Sequence, residues 1–193
     1  MADKKAPEQT TNVGKEMVLP VVVLVAICIV CSALLAVLNN VTEPVIEANN
    51  KKATMVAYLD VLPEGTNADQ MESIEGAEEN PLVEDAVRTE DGDMAVKSSA
   101  SGYSGKDVTV YISFDADGTV TKVQIDASTQ TTGIGSKVAE DSYEENYVGI
   151  EGSEGSGAVD VDVIAGATYS SNAAETAIKN AVDYIDQLLE GVA

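Results

Sequence analysis

A long uncharged apolar run near the N-terminus restricts the folds open to this chain more than any other feature. No charged residue occurs between Glu16 and Glu43, and Met17–Leu38 consists of apolar residues and Ser32. As a helix rising about 1.5 Å per residue, this run would extend about 33 Å, enough to cross a bilayer core of about 30 Å. A cleaved signal peptide has a shorter apolar core and a small-residue exit site, which this run lacks. We therefore predict a single-pass helix anchored in the lipid bilayer.

The anchor divides the chain into a short tail and a large domain. We assign residues 1–16 to a cytoplasmic tail, 17–39 to the transmembrane helix and 40–193 to the domain. Three lysines lie in the tail, while Lys51 and Lys52 lie some distance beyond the helix. The positive-inside rule therefore favours a cytoplasmic N-terminus. We expect a protein of the cell (inner) membrane whose C-terminal domain lies outside the cytoplasm.

Net charge and missing residue types exclude several classes of function. The formal net charge is −22, and because a surface this acidic repels nucleic acid, we expect no nucleic-acid partner. The sequence contains no His, which excludes imidazole metal sites and Ser-His-Asp triads. Both cysteines, Cys28 and Cys31, lie in the apolar run, so residues 40–193 contain no thiol. Redox chemistry in that domain would need an organic cofactor.

The two cysteines lie three positions apart and therefore face the same side of a helix. One interpretation is half of a cluster or thiol site shared with a neighbouring subunit. The other is a pair of small apolar residues at a helix–helix contact. We favour the second interpretation of Cys28 and Cys31.

Periodic patterns in residues 40–193 predict an α+β fold. Residues 44–62 have the apolar stripe of a helix. Apolar and polar residues alternate over 107–125 on either side of Asp115–Gly118, which is typical of a β-hairpin and its turn. We expect a twisted antiparallel sheet with helices packed against it.

The C-terminal part of the domain combines a short predicted strand with a long predicted helix. The strand is expected at 160–164, followed by a turn at a glycine. Asn172 with Glu175 three residues later has the pattern of an N-terminal capping box. The helix that follows carries an apolar stripe and is expected to end by Gly191.

Two acidic stretches, 64–92 and 140–159, contain few large apolar residues. Their composition is typical of solvated surface loops. We expect the second stretch to be anchored by Tyr143 and Tyr147.

Two glycine-containing segments are candidates for binding a phosphate or a ring. Residues 129–137 read Thr-Gln-Thr-Thr-Gly-Ile-Gly-Ser-Lys, a pattern that by itself more often marks a tight turn. Around Gly166 and Thr168, a predicted strand, a glycine turn and hydroxyl side chains precede a helix. Such a junction suits an anion, because free amides and the positive end of the helix dipole point at it.

At this junction the sequence resembles a known family. Residues 162–171, Asp-Val-Ile-Ala-Gly-Ala-Thr-Tyr-Ser-Ser, resemble the flavinylation motif of the FMN-binding domain family. Within it the chain is similar to the G subunits of Rnf complexes, the ion-translocating ferredoxin:NAD oxidoreductases. The C subunits of sodium-pumping NADH:quinone reductases, usually longer, rank second. Three further segments carry the resemblance: Thr42–Ile46, Gly102-Tyr103, and Thr131–Gly135 where the family usually has Thr-Pro-Gly-Leu-Gly.

The chain departs from the family pattern at four positions. Thr132 replaces the loop proline, and Ala165 replaces a usual Ser or Thr near the attachment site. Gln130 stands where Glu is common, and Ser128 where His is common.

The resemblance implies a covalent FMN, esterified through its phosphate to Thr168 by a separate flavin transferase that uses FAD as donor. It implies neither a catalytic residue nor a metal ligand in the protein itself. Expected flavin contacts lie beside the attachment site and in the glycine loop: Gly166, Ala167, Tyr169 and Ser170, and Thr131, Thr132, Gly133, Ile134, Gly135 and Lys137.

The function implied is that of an electron-carrying subunit, a redox component without independent catalysis. Its partners would be other membrane subunits of a complex that passes electrons between ferredoxin and NAD, coupled to translocation of Na⁺ or H⁺. Two alternatives stay open. One is a solitary membrane-anchored flavoprotein, and the other is a non-redox acidic binding domain that has lost the cofactor.

Overall fold

The computed structural model describes residues 13–191. The chain divides into two compact units, with the boundary between Asn50 and Lys51. Helix α1, Val13–Val61, begins in the first unit and ends in the second. By length and composition alone, the segment Val18–Val61 could cross a membrane, and its most apolar part has a mean hydropathy of 3.3. Most of the predicted tail, residues 1–12, lies outside the described residues.

The second unit is built on a five-stranded antiparallel sheet in the order β1-β2-β3-β4-β5. This confirms the predicted sheet and the hairpin, whose strands β4 and β5 pair Ile112 with Val123. Gly118 closes the turn with a φ of +87°, a conformation that glycine adopts without a steric penalty. The strands are β1 Met71–Ser73, β2 Asp85–Thr89, β3 Met94–Ser101, β4 Asp107–Phe114 and β5 Val120–Asp126.

Helices cover both faces of this sheet. The short helix α2, Asp141–Glu144, precedes α3, Thr168–Glu190, whose apolar stripe packs on one face and forms the larger core. Ser98 in β3 donates a hydrogen bond of 2.6 Å from Oγ to the carbonyl oxygen of Ala177, which ties the sheet to α3. On the opposite face, the end of α1 forms a smaller cluster: Tyr58, Val61 and Leu62 with Val87 and Ala95.

The acidic stretch 64–92 is not the surface loop that its composition predicts, because it contains β1 and β2. Ala86 and Val87 are fully buried on opposite faces of the sheet. Glu84, just before β2, pairs with Lys97 of β3 at 2.7 Å. The charged residues around β2 hide its apolar pattern in the sequence, and its pairing with β3 is what identifies it as a strand.

The predicted strand at 160–164 is also wrong, since the structure has no regular element there. Its backbone is bonded to the start of α3 instead: the Ile164 amide donates to Ser171 Oγ at 3.1 Å, and Ile164 accepts from the Ala167 amide at 2.9 Å. Asn172 is not a cap either, because α3 begins four residues earlier at Thr168. The predicted end at Gly191 is confirmed, with a φ of +74°.

The second acidic stretch, 140–159, is anchored by its two tyrosines as predicted. Tyr147 is fully buried and Tyr143 nearly so. The Tyr147 hydroxyl donates to the Tyr143 hydroxyl at 3.0 Å. Burial, together with that neighbour, raises the pKa of Tyr147 far above its ordinary value, so its ring stays neutral.

Candidate functional site

The start of α3 leaves its first amides without a side-chain partner. Gly166, with a φ of +84°, turns the chain into the helix, and Ala167 occupies the cap position. Alanine has no side-chain oxygen that could accept a hydrogen bond from the helix, and none is made. The first-turn amides therefore remain free for another acceptor.

Electrostatics at this helix end also favour an anion. The first turn of α3 contains no acidic side chain, although the chain as a whole is strongly acidic. The aligned peptide dipoles of a helix place a partial positive charge at its N-terminus. Thr168, the first helical residue, is exposed there and makes no side-chain hydrogen bond among the described residues. Its hydroxyl is accessible beside free amides.

A cavity of about 250 Å³ lies next to this helix end. It brings together the glycine loop and the helix start, which are more than thirty residues apart in the sequence. Seven of the residues expected to contact flavin line it: Thr131, Ile134, Gly135, Gly166, Ala167, Tyr169 and Ser170. Tyr103, which was not expected, also lines it. The four other expected residues, Thr132, Gly133, Lys137 and Thr168 itself, do not line the cavity.

Gln130 holds the walls of this cavity together. Its side chain is 6% exposed, and Oε1 accepts hydrogen bonds from the Tyr103 amide at 3.1 Å and from the Ser170 hydroxyl at 2.9 Å. Nε2 donates to the carbonyl oxygen of Lys106 at 2.9 Å and to Thr129 Oγ1 at 3.0 Å. One amide therefore joins the turn before β4, the glycine loop and the start of α3.

Gly135 has no room for a side chain. A Cβ at this position would lie 2.5 Å from Ser170 Oγ and 2.9 Å from Gln130 Cβ. Real Cβ contacts are not this short, so the second glycine of the loop is required by the close approach of α3. The same residues explain why the glycine loop, residues 129–137, and the start of α3 form one surface.

Aromatic and aliphatic side chains surround the cavity mouth. The rings of Tyr103 and Tyr169 meet edge to face, with centroids 6.0 Å apart and planes at 61°. Tyr103 is 55% exposed, Tyr169 70% and Ile134 50%. Large exposed apolar groups around a concavity are typical of a ligand site.

The size of the cavity limits how much of a ligand it can enclose. Pockets that bury most of a drug-sized molecule hold roughly 300–1,000 Å³. At about 250 Å³, this cavity can enclose part of a flat ring system while the rest stays at the surface beside Tyr103 and Tyr169. The residues therefore fit a cofactor with an aromatic ring and a phosphate, the ring in the cavity and the phosphate at the amides of α3.

Sequence reasoning missed Tyr103 and Gln130 as site residues. Gly102-Tyr103 contributed to the resemblance, and Gln130 was noted as a departure from it, but neither was assigned to the site. No local pattern marks them, because their role depends on contacts 27 and 40 residues away.

Two comparisons with known proteins cover the segment that contains this cavity. Residues 102–183 match the family model of the FMN-binding domain, a segment that includes every residue lining the cavity. Over 187 residues the chain is 29% identical to the G subunit of the Na(+)-translocating ferredoxin:NAD(+) oxidoreductase complex of Acetobacterium woodii. That alignment covers 86% of this chain and 90% of the relative.

Proposed function

We propose that this chain holds FMN covalently on Thr168. The premise is that residues 102–183 match the FMN-binding domain and that the chain is similar to a G subunit over most of its length. The observation that carries the proposal is the position of Thr168. Its exposed hydroxyl lies at the first residue of α3, beside uncapped amides and next to a cavity with an aromatic rim. The hydroxyl and the free amides thus lie within the first turn of α3, and the cavity adjoins that turn.

Each part of the site has a distinct task in this proposal. The Thr168 oxygen forms the ester bond to phosphorus, and with FAD as the donor AMP leaves and the hydroxyl proton is released. The free amides of α3 bind the remaining phosphate oxygens, which offsets repulsion from an acidic domain. With FMN bound, Tyr103, Ile134 and Tyr169, which line the cavity, would contact the ring and exclude water from one side of it.

The flavin supplies one- and two-electron transfer when bound, while the protein positions it. Because the cavity would enclose only part of the ring, an electron donor or acceptor could approach the edge left outside it. A subunit of this kind needs partners to turn over. The similarity to a complex subunit supports a role as the FMN-carrying subunit of a membrane ferredoxin:NAD oxidoreductase complex, coupled to movement of Na⁺ or H⁺.

The anchor and domain assignments complete the proposal. Residues 17–39 cross the cell membrane, residues 1–16 lie in the cytoplasm, and 40–193 form the domain outside it. The partners are the bilayer, the other membrane subunits and a flavin transferase. A membrane-impermeant thiol reagent should label a cysteine placed at exposed Ser153 in intact cells, and labelling only after lysis would contradict the orientation.

The site is tested by mass spectrometry of the tryptic peptide 138–179 from protein purified out of its native membrane. We expect a mass increase equal to FMN less one water, located at Thr168. Thr168→Ala should lose the modification and the ferredoxin-driven NAD reduction of the complex, while Thr168→Ser should keep part of both. Because Thr168 is exposed, removing its side chain should cost about 1 kcal/mol of unfolding free energy or less.

Thr176→Ala is the matched control, because Thr176 is also exposed on α3 but bonds only to its own helix. It should leave the flavin and the electron transfer unchanged. An unmodified wild-type peptide would refute the covalent flavin. Full NAD reduction by the Thr168→Ala complex would refute the relay role, and purification without other membrane subunits would favour a solitary flavoprotein.

A further inference from the structure

We infer that Gln130 is the positioning residue of the flavin site, and that its neutral amide keeps the cavity in the same shape at every physiological pH. This inference rests on the proposed function, since it concerns how this chain holds its flavin. It assigns Gln130 a role in setting the flavin environment rather than a contact with the reacting atoms.

The orientation of the Gln130 amide is fixed by backbone groups on both sides. The Tyr103 N–H can only donate, so the atom 3.1 Å from it must be the amide oxygen. The Lys106 carbonyl oxygen can only accept, so the atom 2.9 Å from it must be the amide nitrogen. A reversed amide would lose both hydrogen bonds, and the side chain is therefore held in a single state.

These two bonds clamp a turn that needs support. Residues Tyr103–Gly105 form a single turn in which Ser104 has a φ of 59° and a ψ of 28°. This left-handed conformation is unfavourable for a residue with a side chain. Gln130 binds the turn at both ends, at the Tyr103 amide and the Lys106 carbonyl, and so holds the ring of Tyr103 at the cavity mouth.

The same amide oxygen reaches α3 through the Ser170 hydroxyl at 2.9 Å. Glycines lie against the side chain on both sides and leave no room for a Cβ of their own: a Cβ on Gly102 would lie 2.8 Å from Gln130 Oε1, and one on Gly135 would lie 2.9 Å from Gln130 Cβ. Because one amide oxygen binds both Tyr103 and Ser170, a change in the hydrogen bonding of residue 130 acts on both of them.

An ionised carboxylate at this position would have the same shape but no donor. The oxygen in the place of Nε2 would face the Lys106 carbonyl oxygen at hydrogen-bond distance and repel it, and the carboxylate would add a negative charge beside the cavity. When protonated, the acid regains one donor and can restore the hydrogen bond to the Lys106 carbonyl oxygen. Burial favours the protonated form and raises the pKa of such a carboxyl. Gln130→Glu should therefore make the hydrogen bonding of this cavity wall depend on pH, which it does not with the native amide.

The experiment compares Gln130→Glu with Gln187→Glu. Gln187 is a half-buried residue near the other end of α3, so its substitution adds the same charge far from the cavity lining. Both full-length proteins, loaded with flavin, are titrated for the midpoint potential of the flavin between acid and alkaline pH. We expect Gln130→Glu to match wild type at acid pH and to become progressively more negative than wild type as pH rises. The difference between Gln187→Glu and wild type should stay constant. The thermal midpoint of the flavin-free proteins should follow the same pattern.

A second pair of variants does not depend on the folding of Gln130→Glu. Ser170→Ala removes one hydrogen bond from the amide, and Ser98→Ala removes one from an equally buried serine that bonds to α3 elsewhere. Both should lose similar thermal stability, but only Ser170→Ala should shift the flavin potential and its absorption maximum. Equal spectra and potentials for the two serine variants would overturn the inference, as would a Gln130→Glu potential that runs parallel to wild type.

These outcomes are separable from failure of the proposed function. An unmodified wild-type peptide 138–179 would refute the covalent flavin itself. A modified wild type with pH-parallel potentials in all variants would leave the flavin in place and refute only the role of Gln130.

Discussion

Substituting Gly135 by alanine should displace one wall of the cavity and weaken the flavin site. Gly135 is buried at the start of the short helix Gly135–Ala139. An added Cβ would lie 2.5 Å from Ser170 Oγ and 2.9 Å from Gln130 Cβ. These two side chains are held together by the hydrogen bond from Ser170 Oγ to Gln130 Oε1. Because neither neighbour is the free end of a flexible chain, the methyl group must push α3 and the glycine loop apart.

Overpacking of this kind costs about 1–3 kcal/mol of unfolding free energy. Alanine in place of glycine also restricts the unfolded chain, which returns about 0.4–1 kcal/mol, so the middle of this range gives a net loss of about 1–2 kcal/mol. For a domain of this size, each kcal/mol lowers Tm by about 3 °C, which gives an expected decrease of about 3–6 °C. Covalent flavin should fall as well, since the cavity is lined by the displaced residues.

Two other glycines provide matched controls. Gly157 has open space around it and no unusual backbone angle, so Gly157→Ala should change neither Tm nor flavin content. Gly149 also has open space but a φ of +89°, so Gly149→Ala should lose about 1 kcal/mol through backbone strain and keep its flavin. Thermal melts of the full-length proteins in detergent give Tm, and in-gel flavin fluorescence gives the covalent content.

A Gly135→Ala protein that has the same Tm as Gly157→Ala and carries as much flavin as wild type would refute this role of Gly135. A loss of stability without a loss of flavin, as expected for Gly149→Ala, would show that the close contact is real but that the cavity does not hold the ring.

Two further predictions concern the rim and an ion pair. Tyr169→Ala should change Tm by less than about 2 °C, since Tyr169 is 70% exposed, yet raise the access of iodide to the bound flavin in fluorescence quenching. Unchanged quenching would remove Tyr169 from the ring site. Burial raises the pKa of Glu84, but hydrogen bonds from Lys97 and Ser99 outweigh it and leave that pKa below its ordinary value. A depressed carboxyl pKa stabilises the fold above the unfolded pKa, and this contribution is lost as pH falls through the folded pKa. In thermal melts, the Tm of Lys97→Met should therefore lie below that of wild type near neutral pH and converge with it at acid pH. A difference in Tm that stays constant with pH would contradict the lowered pKa of Glu84.

The features that the sequence determined by itself are those whose physical cause is local. A run without charge is long enough for a bilayer whatever the rest of the chain does. The hairpin follows from alternation around Asp115–Gly118, and the C-terminal helix from its apolar stripe and Gly191. The position of Thr168 was likewise readable from neighbouring residues, although the capping pattern at Asn172 misplaced the helix start because Ala167 begins it without a side-chain cap.

Tertiary structure alone decided which distant residues meet. The acidic composition around Ala86 and Val87 predicts a surface loop. They form a buried strand because β3 supplies the hydrogen-bonding partner. Residues 160–164 stay out of the sheet because the start of α3 binds their backbone. Tyr103, Gln130 and Ser170 become one wall through hydrogen bonds across 27 and 40 residues. Periodicity reports the face a residue buries, whereas the partner it meets there depends on strand register and helix placement, which no local pattern encodes.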